Sequence, residues 1–360
     1  MDTSIGLRFS LQLGAKPGPS IDDSMPEPLP SASSGFSVIG FRAEEVFSAP
    51  FHLSIDFASH HHDLSPIDWL DREVRLSVWQ DGQVLRSFHG IVSEFAQSDT
   101  GHRRTRYSLV VRPALWRLSL RHNARIFQHV SPLTIINTLL AERGITDVAF
   151  AVTREPAERE YCVQYRETDL AFIERLAAEE GLFYFHEFED TSGGAHRLVF
   201  ADAPQGLTTL GPRTYHSRAG GTAPTRHVRR LRQTARVRPA SAQLKDYSFK
   251  QPAYAQLHDH PAGGLDTHAQ RTDYEHYDYP GRYKADASGQ AFTRVRLEHL
   301  RHDALTAEAE SDLPELRPGT TFTLTDHGSA ALNRDWQVVG VVHEGRQPRR
   351  WKRMPRGATA

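Results

Sequence analysis

The sequence predicts a mainly β protein of the α+β class, in which two antiparallel β barrels flank a segment that mixes helix and strand. Three observations predict it. Short runs of alternating apolar and polar residues recur between residues 5 and 112, with turn signals between them. Similar runs return after residue 226, most clearly at 320–325 and 335–343. Between the two groups, residues 161–187 (YCVQYRETDLAFIERLAAEEGLFYFHE) switch from a period of two to a period of 3.6 and back. At 360 residues the chain is long enough for two or three domains and a substantial core.

The first β-barrel domain is expected over residues 1–113. Residues 5–13 alternate, with Leu7, Phe9, Leu11 and Leu13 on one face. The stretch 14–35 is rich in Pro, Ser and Gly and is expected to be an exposed, mobile loop. Strands are then expected at 36–44, 51–58, 73–80, 85–97 and 105–112. Asp81-Gly82 and Thr100-Gly101 supply turns between them.

Residues 114–225 are expected to form an α+β segment. After a transition at 116–128, Ser131-Pro132 opens a helix as cap and first-turn proline, and Gly144 closes it. Leu133, Ile136, Leu139 and Leu140 form its core stripe. In the helix of 161–187, Leu170, Ile173, Leu176 and Ala177 share an apolar face, and Glu174, Arg175, Glu179 and Glu180 take the other. Thr168 or Asp169 can accept from the free N–H groups at its start, and Gly181 supplies a left-handed stop. The aromatic run that follows completes a strand–helix–strand (βαβ) element with no chemistry of its own. Tyr165, Leu170, Phe172, Ile173, Leu176, Phe183 and Phe185 are expected to be buried.

Residues 226–345 are expected to form the second β barrel, from runs at 226–237, 244–249, 320–325 and 335–343. A polar insertion lies at about 250–290, and a helical, partly polar stretch at 290–304 carries Phe292, Val295, Leu297 and Leu300. Residues 346–360 form a basic tail. No repeat of 20–50 residues is evident.

Composition narrows the function classes. Hydrophobic residues make up 39% and charged residues 24%, as in ordinary globular domains. Lys and Arg (43) nearly cancel Asp and Glu (44), so no net field draws the chain to nucleic acid or to a membrane surface. The basic clusters at 226–238 and 346–356 read as solvated strand faces and loops. Cys162 is the only cysteine, which excludes an intramolecular disulfide and fits a reducing compartment. Its place in the alternation makes it a strand residue. No apolar run is long enough to span a membrane, and the N-terminal residues do not read as a signal peptide. The expectation is a cytosolic protein, exported, if at all, by a route that reads no signal.

The sequence assigns no catalytic, cofactor-binding or metal-binding residues. Of 20 histidines, His60-His61-His62 forms a compact run beside Asp56 and Asp63, but adjacent side chains on a strand point to opposite faces. His258-Asp259-His260 is similar. Glu298-His299 with His302 has helical spacing but lacks the HExxH order that pairs zinc with a base. There is no GxSxG elbow, no P-loop and no dinucleotide-binding glycine pattern. Glu179 and Glu180 are adjacent on a helix and do not face each other as a glycosidase pair would.

The segment 161–187 closely resembles the signature of VgrG proteins, the spike-tip proteins of type VI secretion. Tyr277-Asp278-Tyr279-Pro280-Gly281 resembles the family's YDYPG turn, here read as type II with Gly281 at positive φ. Arg296-Leu297-Glu298, Leu316-Arg317-Pro318-Gly319 with Phe322, Leu332-Asn333-Arg334 with Trp336-Gln337-Val338-Val339, and Val342-His343-Glu344-Gly345 also match family segments. The resemblance therefore runs over most of 36–345. It implies a phage baseplate hub-like fold and a structural, non-enzymatic role. It also implies a homotrimer whose six barrels form a pseudo-sixfold ring on the hexameric Hcp tube. Other implied partners are baseplate components and spike, needle or effector proteins, with no nucleic acid among them. The chain is expected in the cytoplasm before firing and then secreted through the type VI apparatus. Family members continue into an OB-fold barrel and a β-helix needle. This chain ends at Ala360, so a truncated or split hub is expected. A hub of a contractile phage or phage-derived particle shares these features. A tail-associated peptidoglycan hydrolase is the rival from another class.

Overall fold

The structure, a computed structural model, describes residues 6–14, 36–188, 196–217, 225–263 and 270–347. Nearly all of the loop expected at 14–35 and of the basic tail lies outside the described residues. The fold is mainly β, as expected.

The N-terminal body contains β1 (Leu7–Leu13), β2 (Phe36–Val46), β3 (His52–Ser59), the one-turn helix α1 (Pro66–Trp69), β4 (Glu73–Gln80), β5 (Gln83–Thr100) and β6 (Thr105–Arg112). Asp81 and Gly82 both take positive φ (51° and 83°), the geometry that suits the twist of a two-residue hairpin. The sheet runs β1-β4-β5-β6-β3-β2 and is extended by the C-terminal strand Gly340–Arg346, all antiparallel. It curls until its two edges meet. Phe9 on β1 packs edge-on to Phe41 with ring centres 5.1 Å apart, and the Phe9 N–H donates to Gln347 Oε1 at 3.2 Å. Inside the curl, Leu53, Ile55, Phe57, Leu76, Phe88, Leu109 and Val111 are fully buried, and Trp69 stacks between Phe57 and Phe95.

The middle segment holds β7 (His122–Phe127), α2 (Pro132–Ala141), β8 (Val148–Ala151), β9 (Cys162–Thr168), α3 (Asp169–Glu180), β10 (Phe183–Phe188) and β11 (His196–Ala201). Ser131 Oγ accepts from the Thr134 N–H at 3.3 Å, and Thr168 Oγ1 accepts from the Ala171 N–H at 3.0 Å, so Thr168 rather than Asp169 caps α3. Gly181 stops α3 at φ 77°. A Cβ there would lie 2.5 Å from Val295, so glycine is required twice. The strands flanking α3 do not form the expected βαβ unit: β9 pairs only with β7, whereas β10 lies in the sheet β10-β11-β8. Periodicity identifies a strand but not its partner.

The C-terminal part contains β12 (Thr208–Thr214), β13 (Val228–Ala235), β14 (Ser241–Asp246), β15 (Gln256–Pro261), β16 (Glu275–Asp278), α4 (Asp286–Leu300), β17 (Leu305–Ser311), β18 (Thr320–Thr325), β19 (Asp335–Gln337) and β20 (Gly340–Arg346). Its strands form the sheets β12-β18-β19, β13-β17 and β15-β14-β16. The polar stretch at 250–290 thus supplies β15 and β16, two strands of the three-stranded sheet whose β14 and β15 α4 packs on. The run 335–343 is two strands rather than one. The chain leaves β19 at Val338-Val339, and β20 crosses to pair with β2 in the N-terminal sheet. The turn at Pro280-Gly281 also differs from expectation. The Tyr279–Pro280 bond is cis, and positive φ falls on Arg282 rather than Gly281. Gly281 is instead required for space, because a Cβ would lie 2.4 Å from the Tyr283 ring. No helix among the described residues is long and apolar enough to cross a membrane.

Of the residues expected to be buried, Leu170, Phe172, Ile173, Leu176 and Phe185 are buried and Phe183 is half-buried, whereas Tyr165 is 65% exposed. The inward face of β9 carries Cys162 and Gln164, and Gln164 Nε2 donates to the buried Asp169 carboxylate at 2.8 Å. Tyr165 therefore falls on the outward face with Val163. Its expected place in the core is taken by Tyr184, fully buried, with its hydroxyl donating to Glu174 at 2.8 Å. Leu176→Ala should lower unfolding free energy by about 2–5 kcal/mol, whereas Tyr165→Ala should change it by less than about 0.5 kcal/mol. Urea denaturation of the two variants checks both; equal losses would mean that β9 is turned over.

Candidate functional site

The histidine groups do not assemble a metal site. His60 Nδ1 lies 2.9 Å from the Arg103 carbonyl and His62 Nδ1 lies 2.7 Å from Thr105 Oγ1, while Asp56 is exposed on the neighbouring strand. His258 faces Asp286 at 3.2 Å and the Tyr283 ring, with His260 two residues along the same strand. His299 and His302 stack on each other, and His302 Nδ1 bonds back to the His299 carbonyl at 2.8 Å. Among the described residues, no group of three or more His, Cys, Asp or Glu is arranged to hold a metal ion. Glu179 and Glu180 are both engaged by Arg159 (2.5 and 2.6 Å), and Arg154 takes the second oxygen of Glu180 at 2.7 Å. Cys162 is buried in the core of the segment, where loss of water pushes its thiol up, the reverse of an activated nucleophile.

What the fold does build is a junction, and its centre is β10. Successive side chains on a strand point to opposite faces, so this short strand meets several bodies at once. Tyr184 enters the core formed by α2, α3 and β11, and Phe188 enters the core of the N-terminal sheet against Phe51 and Phe88. On the other face, Phe183 and Phe185 pack on Phe47, at 4.6 and 5.8 Å between ring centres. Phe185 also lies over Gly319, whose φ is 88° and where a Cβ would fall 2.2 Å from the ring. Backbone bonds hold the same place: Ser48 N–H to Tyr184 O at 2.9 Å, and Thr208 N–H to Gly319 O at 3.1 Å.

A second tie lies beside it. Arg86 on β5 is buried, pairs with the buried Glu45 on β2, and donates to the carbonyls of Pro314 (2.9 Å) and Leu316 (3.1 Å). His343 on β20 donates from Nε2 to the same Leu316 carbonyl at 2.8 Å. Burial pushes the Glu45 carboxyl up, against the pull of Arg86 and Arg317. The desolvation cost of this pair is thus not fully offset by its attraction, and its contribution is to position rather than to stabilise. The segment 313–319, which includes the Leu316–Gly319 motif, is thus held by Arg86 at Pro314 and Leu316 and by Phe185 and Thr208 at Gly319.

One outward surface is left open. On the ribbon β7-β9, Ile126 pairs with Val163 and Ala124 with Tyr165, and Ile126, Val163 and Tyr165 are all exposed. This apolar strip was missed from sequence because Tyr165 had been assigned inward.

The chain matches the family model described as phage tail baseplate hub (GPD) over residues 44–349. The chain belongs to that family. It is 48% identical over 299 residues to the type VI secretion system spike protein VgrG3 of Vibrio cholerae serotype O1, which covers 83% of this chain and 29% of the relative. It is 44% identical over 299 residues to the actin cross-linking toxin VgrG1 of the same species, covering 83% and 27%. The chain therefore spans less than a third of the length of these relatives, and the match falls on their hub-like part. Among solved structures, the Escherichia coli c3393 protein, a type VI secretion component described as similar to the T4 tail proteins gp27 and gp5, superposes with a TM-score of 0.68 at 20% identity. That alignment covers 94% of this chain and 73% of the other, and it supports the fold. Two of the segments that resemble the family, 161–187 and Leu316–Gly319, meet at β10.

Gly319→Ala should destabilise the chain by about 1–3 kcal/mol, since the added methyl must displace the Phe185 ring, and Arg86→Met by about 3–5 kcal/mol, since Glu45 is left buried without its cation. Chemical denaturation monitored by tryptophan fluorescence checks both. Parent-like midpoints would remove the junction from the list of structural determinants.

Proposed function

We propose that this chain is the non-enzymatic hub module of a type VI secretion spike. In this reading three copies assemble into a pseudo-sixfold ring that caps the hexameric Hcp tube, and contraction of the sheath drives tube and tip outward. The observation that carries it is the family match over 44–349, together with 48% identity to a type VI secretion spike protein over 83% of the chain. The open strip at Ile126, Val163 and Tyr165 is consistent with it, because large apolar faces left on a folded unit are commonly covered by a neighbour. The partners proposed are two further copies, the Hcp tube, baseplate components and the spike, needle or effector proteins carried at the tip. The protein is proposed to reside in the cytoplasm until firing and to leave through the apparatus without a signal peptide. The domain division at 113, 225 and 345 is proposed as one of sequence, with β20 contributed by the last unit to the first.

A baseplate hub of a contractile phage would share the fold; identity to secretion spikes favours the spike. A peptidoglycan hydrolase would need a catalytic group that no motif identifies, and incubation with purified peptidoglycan should release no muropeptides. Light scattering across a concentration series should give the mass of a trimer, and Tyr165→Asp should lower the assembled fraction at a given concentration. A monomer at every concentration, alone and with Hcp, would overturn the reading.

A further inference from the structure

The junction at β10 contains a polar group that the assembly reading does not use. His186 lies between Tyr184 and Phe188 on the strand, is only 5% exposed, and neither ring nitrogen has a hydrogen-bond partner. It sits edge-on to Phe51 (5.3 Å) and 5.6 Å from the His196 ring on β11. His196 in turn meets His89 on β5, with Nδ1 to Nδ1 at 3.3 Å. Three imidazoles thus lie in a row across the joint between the curled N-terminal sheet and the sheet β10-β11-β8. The 3.3 Å contact requires one nitrogen with a proton and one without. If the accepting ring gains a proton at its Nδ1, two N–H groups face each other in a site with little water. A proton on His186 would be a buried charge with no acceptor.

We infer that this row is an acid-sensitive joint: proton uptake by His186 and His196, with His89, separates β10 and β11 from the N-terminal sheet. The charged groups around it do not compensate. From β4, Glu73 reaches only the far nitrogen of His89, at 3.9 Å, and Arg75 opposes protonation there. Asp147, before β8, favours protonation of His196 but is itself paired with Arg197 at 2.8 Å. Phe51, Phe88 and Phe188 are apolar. Burial is the main cause that holds His186 well below the ordinary imidazole range and takes His196 down to about 4. A base whose affinity for protons is lower when packed than when open stabilises the packed form above about pH 6.5. That contribution is lost as pH falls toward 4. Each imidazole that gains a proton on opening shifts the equilibrium by up to about tenfold per pH unit below 6.5, or about 30-fold between pH 7.5 and 5. The inference is independent of the assembly reading.

Hydrogen exchange followed by mass spectrometry tests it. Protection factors of β10 and β11 amides in the parent should fall at least a hundredfold between pH 7.5 and 5, while those of α2 fall much less. His186→Phe, which replaces the imidazole with a ring suited to its aromatic neighbours, leaves His196 to respond alone, and its fall should be at least tenfold smaller than the parent's. His343, buried on β20 outside the row, remains in both proteins as an internal control. Equal loss in parent and variant, equal loss in β10 and α2, or no loss in the parent would overturn the joint. Exchange of the imidazole C2 proton in the parent gives a second reading that needs no variant. Midpoints below 5 for His186 and His196 are expected, and midpoints near 6.5 would overturn it.

Discussion

The fold depends on the two-sided packing of the strand Phe183–Phe188. Six residues connect the core of the N-terminal sheet, the helical core of the middle segment and the start of β18 in the C-terminal part. The strand supplies rings on both faces. Aromatic side chains suit this, since each covers a large area with few rotors. The cost is a tight fit. Gly319 can have no side chain where Phe185 lies, and Phe47 is confined between Phe183 and Phe185.

Charge is used in the same positioning manner. Arg86 and Glu45 form an ion pair that burial makes expensive. A hydrophobic pair of equal volume would hold two strands together at lower cost. What such a pair cannot do is hold a fixed loop, and Arg86 donates to the Pro314 and Leu316 carbonyls of the segment 313–319, the latter shared with His343. On the surface of α3 the pairs formed by Arg154, Arg159 and Arg175 are less buried. They tie the loop before β9 and the strand itself to the helix.

Much of this architecture was legible in sequence because local rules governed it. The strands of the N-terminal sheet, both helix caps and the Asp81-Gly82 hairpin follow from periodicity and from positive-φ chemistry. Pairing was not legible, since a period of two does not name a partner. β9 and β10 were assigned to one unit, and the last strand was placed in the C-terminal half although it closes the N-terminal sheet. Tyr165 was assigned inward because aromatic residues are usually buried in strands. The signal that opposes it is Gln164, whose amide is needed inside to satisfy Asp169. The junction left traces as motifs, Phe183 with Phe185 and Leu316 to Gly319, yet nothing in a single sequence shows that they touch.

Resistance to displacement of one sheet against another comes from interlocked packing spread over many residues, and β10 concentrates such packing at the junction. Such a joint is least tolerant of an unpaired polar group, because its dry interior gives a charge no solvent. The unpartnered imidazole of His186 is therefore costly where it stands, and a phenylalanine would fill the place at lower cost. Retaining a group that is neutral above about pH 6.5 and charged in acid makes the rigidity of the joint conditional on pH.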